Sequence, residues 1–75
     1  MNYEIMSDIG NIVEEIVGHI DFNADTKLDE IMDDFDRIEL AGDIETTYSI
    51  EVLAKEIQAW QTIKDVVNFV EGKLK

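Results

Sequence analysis

Apolar side chains at Ile5, Ile9, Ile12, Val13 and Ile16 follow the spacing i, i+4, i+7, i+8, i+11, which places them on one face of an α-helix. The same period returns over Ile38, Ala41, Ile44 and Tyr48, with Leu40 beside them, and over Ile63, Val66, Val67 and Val70. Each stripe must be buried against another element, and nothing in the chain supports a parallel sheet or a barrel. The expected fold is therefore all-α: a small bundle of three main helices plus one short helix, with a long loop between the first and second. The 75 residues suffice for a single domain over 1–75, close to the lower size limit for a self-sufficient core. Ile9, Val13, Ile16, Leu40, Ile44, Tyr48, Val66 and Val70 are expected near its centre.

Punctuation residues bound the elements. The first helix runs over residues 3 to 17 and stops at Gly18. Residues 18 to 34 form a long connection whose apolar members, Ile20, Phe22, Leu28 and Ile31, are spaced to pin it onto the bundle. Asp34 is the expected N-cap of the second helix, which starts there or at Phe35, with Asp36 and Glu39 supplying early negative charge. Gly42 inside it costs about 1 kcal/mol relative to alanine, a cost that close helix packing would justify. The helix fades by Ser49, and residues 50 to 53 read as an extended connector. Residues 54 to 58 allow a turn or two of helix. Thr62 with Asp65 then opens the last helix with a near capping box, and Gly72 marks its end. Trp60, just before it, is expected to pack over the bundle.

Charge narrows the partners. Eighteen acids oppose six bases, a net charge of −12. Residues 14 to 51 hold thirteen of the acids, with only Lys27 and Arg37 as bases, so the acidity is concentrated around the second helix. Such a field repels nucleic acid and anionic membranes and favours basic protein surfaces. No run approaches the ~20 apolar residues of a membrane span. The start of the chain lacks the basic and apolar blocks of a signal peptide, which points to the cytoplasm. A monomer is expected.

Catalysis finds little to work with. There is no cysteine, a lone histidine at position 19, no glycine-rich phosphate loop and no Ser/His/Asp arrangement. Carboxylates on so small a domain are expected to be solvated, without the pocket that shifts a pKa for acid–base work, so no enzyme is expected. Asp21-x-Asn23-x-Asp25 imitates the first ligands of an EF-hand loop. Thr26 and Met32 stand where that loop needs glycine and glutamate, which argues against a calcium site.

The stretch Asp33-Asp34-Phe35-Asp36-Arg37-Ile38-Glu39-Leu40 resembles the attachment motif of acyl carrier proteins, Asp-Ser-Leu-Asp-x-Val-Glu-Leu. The leading segment 28 to 34 is similar to the family's Leu-x-Asp-Leu-Gly-x-Asp, and residues 60 to 70 are similar to its closing helix. Met32 replaces the usual glycine, Phe35 the usual leucine, and Leu53 a frequent proline, which suggests a specialised carrier. The serine itself is absent. Both flanks stay in register if it belongs between Asp34 and Phe35 and is omitted as a modified residue, the reading this register favours. It is alternatively deleted, or Asp34 stands opposite it after an earlier one-residue loss.

The resemblance implies an acyl-carrier bundle with 4′-phosphopantetheine on the serine flanked by Asp34 and Phe35. The arm would hold acyl thioesters for fatty-acid, polyketide or related lipid biosynthesis. The implied partners are a phosphopantetheinyl transferase and acyl-handling enzymes with basic surfaces, docking on the acidic patch of Asp34, Asp36, Glu39, Asp43 and Glu45, with Phe35 and Ile38 as exposed apolar points among them. Arg37 is the exception in this acidic patch, and it either discourages generic partners or pairs with Asp33 or Asp34. The alternative is a carrier-like module without a prosthetic group, acting as an acidic protein-binding or regulatory domain.

Overall fold

A computed structural model describes residues 2–75. Five helices follow in order: α1 (Tyr3–Val17), α2 (Leu28–Ile31), α3 (Asp34–Tyr48), α4 (Ala54–Ala59) and α5 (Ile63–Lys73). The three long helices correspond to the three apolar stripes, and α1 packs against both α3 and α5. Among the described residues no helix is long and apolar enough to cross a membrane.

Each long helix starts on a side-chain cap. Asn2 Oδ1 accepts from the N–H groups of Glu4 and Ile5 at 3.0 Å each and opens α1. Thr62 and Asp65 form the capping box of α5. At α3 the cap is Asp33 rather than Asp34: Asp33 Oδ1 accepts from Asp36 N–H at 2.9 Å, and Asp36 Oδ2 accepts from Asp33 N–H at 3.3 Å. A reciprocal pair satisfies two backbone donors where a lone aspartate satisfies one, so the cap lies one residue earlier than expected. At the other ends, Gly18 takes φ 91°, Ser49 takes the left-handed conformation (φ 56°), and α5 continues through Gly72 to Lys73.

The core is built from Ile9, Val13, Leu40, Ile44, Val66 and Val70, all with no exposed surface, joined by Leu28, Ile63 and Val67. Ile16 and Tyr48 lie at its edge, half-buried rather than central. Burial, reinforced by a hydrogen bond in which Tyr48 Oη donates to Asp8 Oδ2 at 2.9 Å, pushes the Tyr48 phenol well above its ordinary pKa. Trp60 is buried and meets Phe69 edge-on at 5.5 Å.

The long connection is not featureless, because α2 forms inside it and buries Leu28 completely. Backbone bonds clamp it to the start of α5: Leu28 N–H to Gln61 O (2.9 Å), Ile63 N–H to Thr26 O (3.1 Å) and Lys64 N–H to Ala24 O (2.9 Å). Phe22 and Ile31 pack on the core, whereas Ile20 is exposed and anchors nothing. Asn23, Asp25 and Thr26 close a local turn, with Asn23 Oδ1 accepting from Asp25 N–H at 2.8 Å.

Candidate functional site at the start of helix α3

The first two turns of α3 invert the usual assignment of side chains. Arg37 falls in line with Leu40, Ala41 and Ile44 on the buried face, while Ile38 is turned outward and is 62% exposed. Phe35 is 84% exposed. Isolated exposed apolar residues are ordinary, but Phe35, Ile38 and Glu39 share one face at i, i+3, i+4, with Asp34 beside them. The result is an apolar aromatic–aliphatic pair bordered by carboxylates.

The other acidic positions behave differently. Asp36 is half-buried and spends its carboxylate on the capping box. Asp43 is half-buried on the flank. Glu45 is half-buried and accepts from Val52 N–H at 3.0 Å, tying the connector back to α3. The structure thus brings Asp34, Phe35, Ile38 and Glu39 together as a free surface, while Asp36 and Glu45 have structural partners. No side chain lies within 4 Å of a Cβ built on Gly42, so close packing does not explain that glycine.

Arg37 pairs with neither Asp33 nor Asp34. Its Nη1 donates to Ile57 O (3.0 Å) and Trp60 O (2.8 Å), and its Nη2 donates to Asp29 Oδ1 (3.0 Å). Its place in line with Leu40, Ala41 and Ile44 turns the side chain inward, toward the end of α4. The two carbonyls and one carboxylate offset the cost of burying its charge. The signal was present in the sequence: Arg37, Leu40, Ala41 and Ile44 are spaced i, i+3, i+4, i+7.

A cleft of about 500 Å³ opens between the start of α3 and α4, lined by Asp29, Asp34, Arg37, Ile38, Ala54, Ile57 and Gln58. Ile38, Ala54 and Ile57 supply aliphatic wall; Asp29 and Asp34 supply charge at the rim. Residues 54 to 58 carry no local pattern that points to this cleft; only the fold brings Ala54, Ile57 and Gln58 to it.

The implied phosphopantetheine was tested against the groups present. A phosphodiester to the protein needs a hydroxyl, and Asp33, Asp34, Phe35 and Asp36 offer three carboxylates and a phenyl ring. With Asp33 as cap, Asp34, which the favoured register pairs with the aspartate preceding the serine, is already the first helical residue, and Phe35 follows it directly. The residues at this helix start do not fit attachment of the group. Comparison with protein-family models and with curated proteins found no match.

Proposed function

We propose that this chain is an acyl-carrier-like domain that works by docking, presenting the start of α3 to basic partner proteins, without a prosthetic arm at that helix. The observation that carries the reading is the exposed set Asp34, Phe35, Ile38 and Glu39 on one face of a rigidly capped helix. Apolar side chains exposed beside carboxylates suit a partner whose lysines or arginines surround an apolar patch. Exposed ion pairs contribute only about 0.2–1 kcal/mol each and are screened by salt, so Phe35 and Ile38 would supply most of the contact energy. Such a surface favours fast, reversible engagement.

The direct test uses an amphipathic helical peptide, leucines at i, i+3, i+4 and i+7 with lysines on the flanks, titrated while backbone amide shifts are followed. Saturable shifts over residues 34 to 42, weakened by salt and by Glu39→Lys or Phe35→Ser, support the reading. Equal weakening by Glu4→Lys or Glu15→Lys overturns it, since the acidity would then serve only solubility.

A loaded carrier is the second reading, favoured by the match of both flanks when one position is left open between Asp34 and Phe35. Incubation with coenzyme A and a phosphopantetheinyl transferase, followed by intact mass, separates the two. An unchanged mass supports the armless domain. A gain equal to one phosphopantetheine shows an arm-bearing carrier and overturns the armless reading.

A further inference from the structure

Helix α4 stands apart energetically from the rest of the domain. It has six residues, none of them buried, and it closes one side of the cleft against α3. Its start is held by a local bond, Leu53 N–H to Glu56 Oε1 at 3.0 Å, which ties it to nothing else. Its attachments to other elements are the half-buried Ile57, the Glu45–Val52 bond just upstream, and Arg37. Arg37 grips the far end, taking the carbonyls of Ile57 and Trp60 on a single nitrogen while the other nitrogen holds Asp29 of α2. A short helix with little buried surface belongs to the low-stability end of a fold, where opening occurs locally rather than globally.

We propose that Arg37 is a latch that holds α4 closed against α3, and that α4 opens by local unfolding, its own hydrogen bonds included, when the latch is released, widening the cleft. The guanidinium is suited to this because it is nearly inaccessible while its orienting carboxylate is not: the Arg37 side chain is 11% exposed and that of Asp29 is 88% exposed. Asp29 is therefore the part of the latch that a group arriving from solution can reach. Neutralising or engaging Asp29 removes the carboxylate that steers Nη2 and leaves Nη1 alone to hold the two carbonyls. The cleft wall that would move carries Ala54, Ile57 and Gln58; the wall that would stay carries Asp34 and Ile38. This device stands independently of whether α3 docks basic partners.

Amide hydrogen exchange on the intact chain reads it directly. The reporters are Glu56 and Ile57, whose N–H groups bond to Leu53 O, and Trp60, whose N–H bonds to Ile57 O. In Arg37→Gln these amides should exchange at least about tenfold faster, as expected for loss of charged hydrogen bonds, and should be far less protected than Leu40, Ile44, Val66 and Val70, which open only with the whole domain. Asp29→Asn should accelerate the same three amides by a few-fold, roughly the effect of one exposed ion pair. Asp34→Asn, which lines the same cleft without bonding to Arg37, should leave them unchanged. Unaltered α4 exchange in a folded Arg37→Gln protein overturns the latch. So does α4 exchange in that protein as slow as exchange in the α1–α5 core. Should Arg37→Gln fail to fold, Asp29→Asn decides alone, and unchanged α4 exchange there also overturns it.

Discussion

Arg37 donates a hydrogen bond to the carbonyl oxygen of Trp60 at 2.8 Å, across twenty-three residues of chain. Through that bond and its partner at Ile57 the start of α3 is fastened to the end of α4, although neither segment contains a continuous apolar stripe that would require the pairing. The buried charge sits where a core residue is expected, and its apolar neighbour Ile38 faces solvent. Departures from local pattern of this kind concentrate where a surface is used.

Removing the guanidinium should therefore cost more than removing its carboxylate partner. Arg37→Met is expected to lose about 2–4 kcal/mol, since two carbonyls and a carboxylate lose a charged donor. Asp29→Ala should cost under about 1 kcal/mol because that side chain is largely solvated. Urea denaturation midpoints at constant m-value measure both; equal losses would mean that the ion pair, and not the carbonyl bonds, dominates.

The exposed apolar pair should be nearly silent in stability. Phe35→Ser and Ile38→Ser are each expected to fall within about 0.5 kcal/mol of the parent, as substitutions at open surface positions usually do. A loss above twice that in thermal or chemical unfolding would show that these residues pack against something and are not free to dock.

In the interior, Ile44 is fully buried between α3 and its neighbours. Truncation to alanine removes its transfer energy and leaves a cavity, for an expected loss of about 2–5 kcal/mol. A change below half a unit would contradict its burial.

Glycine positions separate by conformation. Gly42 is helical with open space around it, so Gly42→Ala should stabilise the domain by about 0.5–1 kcal/mol. Gly18 caps α1 at φ 91°, where any side chain is strained, and Gly18→Ala should destabilise. Paired melting curves test the opposite signs.

Tyr48 gives an alkaline signature. Its phenol is raised above the unfolded value of about 10 by burial first and by the Asp8 hydrogen bond second. The unfolded chain thus releases this proton before the folded one. The associated stability is fully present below pH ~10 and declines as pH rises above it. Tyr48→Phe should flatten that decline relative to the parent; identical slopes would show that other groups cause it.

Much of the fold was legible in the residues because helix formation here is local. A 3.6-residue stripe, a capping pair such as Thr62–Asp65 and a stop at Gly18 are each decided within a few residues of chain. The acidity of α3 and the exposure of Phe35 were legible for the same reason. The sequence by itself therefore determined three long helices, most of their inward faces and the sign of the surface. Tertiary structure decided what depends on distant partners. The clamp of residues 24 to 28 on residues 61 to 64 turned part of a loop into α2. Packing of Leu40, Ala41 and Ile44 into the core set the rotation of α3, and that rotation sent Arg37 inward and Ile38 outward. A guanidinium can be buried only where acceptors await it, and those acceptors, the carbonyls at the end of α4, lie twenty residues and more along the chain.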